Sequence, residues 1–166
     1  MLRPIKISIV AALTAVALFP AVGEAGAPKD KWPVIDGLTW RNKLDLSGSW
    51  YGTPLNDELL GGRGNDAIYG EAGDDVIWGD SEATGNTTAQ QDVLNSGPGD
   101  DWIYGSHGYN TISAGPGNDT VRVWFGSGVV NCGPGRDVLY VSHASGPHVK
   151  RRNCERISHQ TAREAD

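Results

Sequence analysis

Gly61-Gly62-Arg63-Gly64-Asn65-Asp66-Ala67-Ile68-Tyr69 is the clearest copy of a nine-residue pattern that runs through the middle of this chain. Each copy combines a glycine-rich turn, an aspartate or asparagine position, and a short segment with an aliphatic residue at its centre. The pattern restarts at residues 70, 79, 96, 105, 114, 123 and 132, with an insertion at 81–90, a degenerate copy at 123–131, and a weaker copy, with Asp57 and Leu59, before residue 61. A repeat of fixed short period predicts a solenoid.

The centre of the short segment is aliphatic in every copy. Because a strand points alternate side chains to opposite sides, these residues predict one inward-facing column. The column consists of Ile68, Ile77, Leu94, Ile103, Ile112, Val121, Val130 and Leu139. Two copies make one coil with two strands and two turns, so the turns of every second copy stack on the same edge. The expected fold is all-β.

The aspartate positions separate into two series, one for each edge of the stack. The first series is Asp57, Asp75, Asp101, Asp119 and Asp137, and the second is Asp66, Asp92, Asn110 and Gly128. Glycine permits positive φ, so turn carbonyls can point inward, and calcium takes about six to eight oxygens from carbonyls and carboxylates. We therefore expect calcium on the first edge and at most one site opposite, near Asp66 and Asp92. The alternative is that these turns only cap strands, since Asp and Gly favour turns.

Charge supports a cation-binding interpretation. The candidate ligands are Asp57, Asp66, Gly73, Asp75, Asp92, Gly97, Gly99, Asp101, Gly115, Gly117, Asp119, Gly133, Gly135 and Asp137. Residues 57–137 contain thirteen acidic and three basic side chains, a net charge of −10 against −6 for the whole chain. Stacked carboxylates repel unless a cation lies between them. We therefore expect metal binding and folding to be coupled, with disordered repeats in the absence of calcium.

The N-terminus has the composition of a secretory signal peptide. Arg3 and Lys6 precede an apolar run at residues 7–19, and small residues follow at 25–27. This order is typical of a signal peptide, and the run is shorter than the roughly 20 residues that span a membrane. We expect residues 1–27 to be removed and the mature protein, without a membrane span, to be secreted. A retained membrane anchor is the alternative.

The two cysteines predict one disulfide, because their number is even and the chain is exported. When the nine-residue frame is continued, Cys132 and Cys154 fall on neighbouring turns of one edge. The same frame places Glu155 at the aspartate position and Ile157 at the inward position. We expect residues 141–158 to form a calcium-poor cap coil held by this bond, followed by a tail at 159–166. Two free thiols are the alternative, and a role for Glu155 as a ligand is left open.

Residues outside the repeats predict a cap and a loop. Residues 28–56 are expected to form the N-terminal cap, in which Leu38, Trp40, Leu44 and Leu46 alternate with polar residues as in a strand. The repeat domain is expected at 57–140, with the insertion at 81–90 as a polar loop on the second edge. The basic cluster at 150–152 predicts a solvated surface in an acidic protein, and no nucleic-acid site.

Two further functions are alternatives to calcium binding. Outward positions after the first-edge turns hold Trp78, Trp102, Tyr104 and Tyr140, a face that could stack on an extracellular glycan or contact a protein. Aromatic residues also favour strands by propensity alone. No nucleophile elbow, zinc spacing or phosphate loop accompanies the histidines at 107, 143, 148 and 159. We therefore expect no enzyme, and a carbohydrate-active relative is the most distant alternative.

Residues 57–140 resemble hemolysin-type (RTX) calcium-binding repeats, and the chain resembles a small secreted bacterial member of that group. The resemblance implies a right-handed parallel β-roll with N- and C-terminal caps. It also implies several calcium ions, held between turns by loop carbonyls and by Asp75, Asp101, Asp119 and Asp137. It carries no enzymatic activity over, since no protease, lipase or toxin domain accompanies the repeats. The expected function is that of a monomeric extracellular calcium-binding protein with a structural or matrix role, and adhesion through the aromatic face is the alternative.

Overall fold

Two parallel β-sheets, wound as a solenoid of about six turns, make up the computed structural model, which describes residues 32–41, 47–80 and 89–159. In sheet A the strands lie in the order β1 (Thr39–Arg41), β3 (Glu58–Leu60), β5 (Val76–Trp78), β7 (Trp102–Tyr104), β9 (Thr120–Val123), β11 (Val138–Val141) and β13 (Arg156–His159). In sheet B the order is β2 (Gly48–Tyr51), β4 (Asp66–Tyr69), β6 (Gln91–Asn95), β8 (Tyr109–Ser113), β10 (Ser127–Asn131) and β12 (Val149–Arg152). A 3-10 turn at Gly146–His148 precedes β12. The all-β solenoid expected from the repeats is confirmed.

The aliphatic column forms the core between the two sheets. In sheet A, Leu59, Ile77, Ile103, Val121 and Leu139 lie at paired positions on successive strands. In sheet B, the same positions hold Ile68, Leu94, Ile112 and Val130. Each of these side chains is at most 1% exposed. Burying one such side chain contributes about 1.5–3 kcal/mol, so the column is the main apolar stabilisation of every coil.

Two tryptophans close the N-terminal end of the column. Trp40 pairs in register with Leu59, and Trp50 pairs with Ile68, so both occupy inward positions of a first coil. Their rings stack with centroids 4.0 Å apart and pack against the column. This coil lies in the segment expected to form the N-terminal cap. Leu44 and Leu46, also expected in a strand there, lie outside the described residues.

A disulfide-linked coil closes the C-terminal end. Strand β12 pairs with β10, and β13 pairs with β11, which places Ile157 opposite Leu139. Cys132 and Cys154 are joined by a disulfide, with their Cα atoms 5.1 Å apart, so the predicted bond is confirmed. The expected signal peptide, most of the insertion and nearly all of the tail lie outside the described residues. In the described part, no helix is long and apolar enough to cross a membrane.

Candidate metal centre

The turns of the solenoid fall on two edges, which differ in their acidic residues. We call the turns at residues 52–57, 70–75, 96–101, 114–119 and 132–137, which lead from sheet B into sheet A, the acidic edge. We call the turns at residues 61–66, 79–92, 105–110 and 124–128, which lead from sheet A into sheet B, the opposite edge. This separation follows from the two-repeat coil and matches the two series of aspartate positions.

On the acidic edge, the aspartates form a hydrogen-bonded column. The backbone N–H of each aspartate donates to Oδ1 of the aspartate one coil further on. The distances are 2.8 Å from Asp57 to Asp75, 2.7 Å from Asp75 to Asp101, and 2.9 Å both from Asp101 to Asp119 and from Asp119 to Asp137. All five aspartates are at most 1% exposed. At the end of the column, the N–H of Asp137 donates to Glu155 Oε2 at 2.9 Å.

The second oxygen of this column lacks a hydrogen-bond donor. Oδ2 is buried and without a partner in Asp75, Asp101, Asp119 and Asp137. Asp57 differs, because Thr53 and the backbone N–H of Leu38 donate to its oxygens. Leaving a buried polar group unpaired costs about 1–3 kcal/mol, and more for a charged one. Four such oxygens in one column therefore require either protons or a cation.

The pKa values of these aspartates also show that burial disfavours their charged forms. Burial, reinforced by neighbouring carboxylates, raises the pKa of Asp75 and of Asp119 to about 8. Burial also raises the pKa of Asp101 to about 6 and raises that of Asp137. Hydrogen bonds from the backbone act in the opposite direction without overcoming burial. Without a cation, the folded state therefore favours protonated aspartates at pH values where unfolded aspartates are ionised.

Glycines allow main-chain carbonyls to come close to the next turn on this edge. Gly115 and Gly117 have φ values of 96° and 149°, which L side chains rarely adopt. A Cβ at Gly117 would lie 1.7 Å from the carbonyl oxygen of Gly99, and one at Gly115 would lie 2.1 Å from that of Gly97. Gly133 and Gly135 continue these two rows in the following turn. Glycine carbonyl oxygens of one turn therefore lie directly against the next turn along this edge.

This set of oxygens fits calcium. Calcium is a hard cation that accepts carboxylate and carbonyl oxygens in flexible geometry. No group of three or more His, Cys, Asp or Glu side chains that could hold a metal occurs within the described ranges. Side chains alone would therefore not complete a coordination shell, and the glycine carbonyls or water would have to supply the remaining ligands.

On the opposite edge, protein donors already satisfy the carboxylates. Asp66 accepts hydrogen bonds from the N–H of Gly62 at 2.9 Å and from the indole N–H of Trp50 at 3.3 Å. Asp92 accepts one from the N–H of Asp66 at 2.8 Å and one from the hydroxyl of Ser106. Burial raises the pKa of Asp92 to about 6, although these bonds lower it. The structure thus places Asp66 and Asp92 in one column, as expected, and a calcium ion there stays a prediction.

Further along the opposite edge, a mixed network of serine, histidine, asparagine and aspartate side chains replaces a continuous acidic column. Asn110 donates from Nδ2 to the carbonyl of Ser106 at 2.9 Å and accepts the N–H of Ser106 at 3.0 Å. The N–H of His107 donates to Asp80 Oδ2 at 2.9 Å, and the imidazole stacks on Phe125. The sequence signal for this network was the loss of glycine at residues 106–107 together with asparagine at residue 110.

This network contains serine, histidine and aspartate but not the arrangement of a catalytic triad. The imidazole Nδ1 of His107 lies 3.4 Å from Asp80 Oδ2. The hydroxyl of Ser106, however, contacts Asp92, Asn110 and the carbonyl of His107, and not its imidazole. A triad needs the hydroxyl to donate to the imidazole.

The aromatic face of sheet A is largely covered. Trp102 and Tyr104 are each only 8% exposed and pack with Val76 under Trp32 and Ile35. Trp102 and Tyr104, two of the four residues of the candidate binding face, are therefore covered, because the segment before β1 packs across them. Trp78 and Tyr140 remain half-buried, with Trp78 stacked 3.8 Å from Tyr104. Trp32 and Ile35, which cover this face, lie outside the repeats, so the nine-residue pattern does not predict their position.

Comparison with known proteins identifies the repeats. Residues 51–83 and 87–130 match the family model of the RTX calcium-binding nonapeptide repeat (4 copies). These residues are RTX calcium-binding repeats. No curated protein and no solved structure matches the chain. The RTX repeats are a structural calcium-binding family, generally without enzymatic activity. The matched RTX segment includes the turns at 70–75, 96–101 and 114–119, and the turn at 132–137 extends the aspartate column beyond it.

Proposed function

We propose that this calcium-binding repeat protein is an extracellular β-roll whose folding depends on ions bound along the acidic edge, and that its role is structural. The column of four buried, unpaired Oδ2 atoms carries this proposal. In the unfolded chain, the same oxygens would be hydrated. An ion that binds only the folded column therefore stabilises the folded state by mass action.

The proposed ligands are Asp75, Asp101, Asp119 and Asp137 with the carbonyls of the adjacent turns. Residues 73, 97, 99, 115, 117, 133 and 135 supply the glycine positions of those turns. Asp57 closes the N-terminal end of the column because protein donors engage both its oxygens. Asp66 and Asp92 are engaged in the same way, so the opposite edge depends less on an ion than the acidic edge does.

Three observations support an extracellular location. The N-terminal residues have the order of a signal peptide, a disulfide links the last coil, and proteins with RTX repeats are typically secreted. Extracellular calcium modules bind the ion at about 10⁻⁴–10⁻³ M. A protein with such affinity would stay unfolded at low calcium inside the cell and fold after export.

Circular dichroism of the oxidised protein without residues 1–27, during a calcium titration, tests the coupling. We expect a cooperative gain of β signal with calcium. Magnesium is the control and should give no gain, because it requires near-ideal octahedral geometry and loses its water reluctantly. A chain that is already folded in a calcium chelator would contradict the coupling.

A further inference from the structure

We propose a terminal calcium site at the C-terminal end of the acidic edge, formed by Asp137 and Glu155 and dependent on the Cys132–Cys154 disulfide. This inference rests on the proposed function and adds to it a ligand outside the aspartate series. It also makes the binding of one ion depend on the disulfide.

The geometry of the aspartate column continues into this site. Asp137 is fully buried, and its Oδ2 has no hydrogen-bond partner. Its backbone N–H donates to Glu155 Oε2 at 2.9 Å, just as each earlier aspartate donates to the carboxylate of the next coil. Glu155 therefore takes the place of a sixth member of the column. Its side chain is longer than that of aspartate, and its turn differs in length from the turns that carry the aspartates.

The turn that carries Glu155 is shorter than the other turns of the acidic edge. Residues 153–155 alone separate β12 from β13, whereas residues 132–137 separate β10 from β11. The glycine rows consequently end at Gly133 and Gly135, and the last turn adds no glycine. Glu155 is also exposed. An ion here would take carbonyls from one turn only and complete its shell with water, so we expect the weakest site of the edge.

The disulfide joins the two sides of this site. Cys132 begins the turn that ends at Asp137, and Cys154 directly precedes Glu155. A hydrogen bond from Asn153 Nδ2 to Asn131 Oδ1 at 2.9 Å also joins the short turn to the preceding coil, with Asn153 in the left-handed region at φ 52°. Because no further coil covers the last one among the described residues, the covalent bond limits how far Glu155 can move from Asp137. Such pre-organisation favours binding by reducing the entropy lost on ordering.

Replacement of Glu155 by glutamine tests the ligand. Glu155→Gln keeps an oxygen that can accept the Asp137 N–H and removes the charge. We expect the full β signal at saturating calcium, with one fewer bound ion per chain in equilibrium dialysis or an at least tenfold higher Kd for the weakest site. Glu164→Gln removes the same charge outside the described residues and should bind as wild type does. An unchanged stoichiometry and unchanged Kd values in Glu155→Gln would overturn the proposal.

Replacement of both cysteines tests the dependence on the disulfide. Cys132→Ser/Cys154→Ser should lose the same ion, and adding Glu155→Gln should remove no further one. If the serine variant does not fold, reduction of the disulfide in the native protein tests the dependence instead. If the disulfide favours binding of the ion, binding of the ion must favour the disulfide to the same extent. At saturating calcium, the equilibrium constant for reduction of the bond by dithiothreitol should be at least threefold smaller for wild type than for Glu155→Gln. Equal constants would overturn the dependence, and a wild-type chain that binds no calcium would overturn the proposed function as well.

Discussion

At the scale of single residues, the same side chain has different roles on the two edges. Asp119 offers one oxygen to a backbone N–H and keeps the other buried and unpaired. Asp66 has donors for both of its oxygens, namely Gly62 and Trp50. The neighbours of an aspartate, and not its place in the repeat, therefore decide whether it needs a cation.

Asp119→Asn should have opposite effects with and without calcium. The amide keeps an acceptor for the Asp101 N–H and removes a buried charge, so the calcium-free folded state should become more stable. With calcium, the loss of a charged ligand should raise the midpoint of calcium-induced folding about tenfold, which corresponds to ~1.4 kcal/mol. Circular dichroism titrations and urea unfolding in chelator measure the two effects.

Asp66→Asn provides the matched control on the opposite edge. The amide NH2 group would face the N–H of Gly62 or of Trp50, and two donors cannot form a hydrogen bond. We therefore expect the free energy of unfolding to fall by about 1–3 kcal/mol, by a similar amount with and without calcium. Equal calcium dependence in the Asp66 and Asp119 variants would contradict a one-sided calcium edge.

The pKa shifts predict that protons partly replace calcium. The pKa of Asp75 and of Asp119 is about 8 in the folded state, and that of Asp101 is about 6, whereas the ordinary value is 3.8. The folded state therefore binds more protons than the unfolded state between about pH 4 and 8, so its stability increases as pH falls through this range. Glu155, whose pKa is lowered by the Asp137 N–H, acts in the opposite direction. Calcium-depleted protein should show more β signal at pH 5.5 than at pH 8, and a larger signal at pH 8 would refute this.

At the scale of the turn, the stacking of the coils depends on close contact between neighbouring backbones. Each acidic-edge turn lies so near the preceding one that a Cβ at Gly117 would overlap the carbonyl of Gly99. Gly105 on the opposite edge has more room, since a Cβ there would first meet Val123 Cγ2 at 3.3 Å. Close stacking is not confined to the acidic edge, because a Cβ at Gly128 on the opposite edge would lie 1.9 Å from the carbonyl oxygen of Asn110.

Gly117→Ala should therefore be much more harmful than Gly105→Ala. The first change forces a side chain into a left-handed conformation and against a backbone oxygen, and should cost well over 1 kcal/mol even at saturating calcium. The second should change stability by less than about 1 kcal/mol. Urea unfolding in calcium measures both, and a tolerated Gly117→Ala would show that the turns are not closely stacked.

At the scale of the whole molecule, the solenoid needs covered ends. An open coil exposes the aliphatic column and unpaired strand edges, which invite association. The stacked pair Trp40 and Trp50 covers one end, and the disulfide-linked coil, with Arg151 at the position that pairs with Val130, covers the other. The N-terminal segment also crosses the outer face of sheet A through Trp32 and Ile35.

Trp40→Ala should destabilise the whole roll from its end. The side chain is half-buried against the core, so we expect a loss of about 2–3 kcal/mol in the calcium-bound protein. Tyr51→Ala is the control, because Tyr51 is 59% exposed and stacks on Tyr69 on the outside of sheet B. Similar losses in urea unfolding would mean that the tryptophan pair does not close the core.

The nine-residue period was enough to predict the inward column, the two edges and the Cys132–Cys154 bond. Each of these depends on which residues recur at equal spacing, and stacking of identical coils turns equal spacing into contact. The cover of the aromatic face by Trp32 and the donors that Ser106 supplies to Asp92 did not follow from that period. Both depend on contacts between a residue and a unique neighbour from another coil or from outside the repeats. Such contacts arise only when the coils are packed together, so local pattern alone could not reveal which face is closed or which carboxylates remain unpaired.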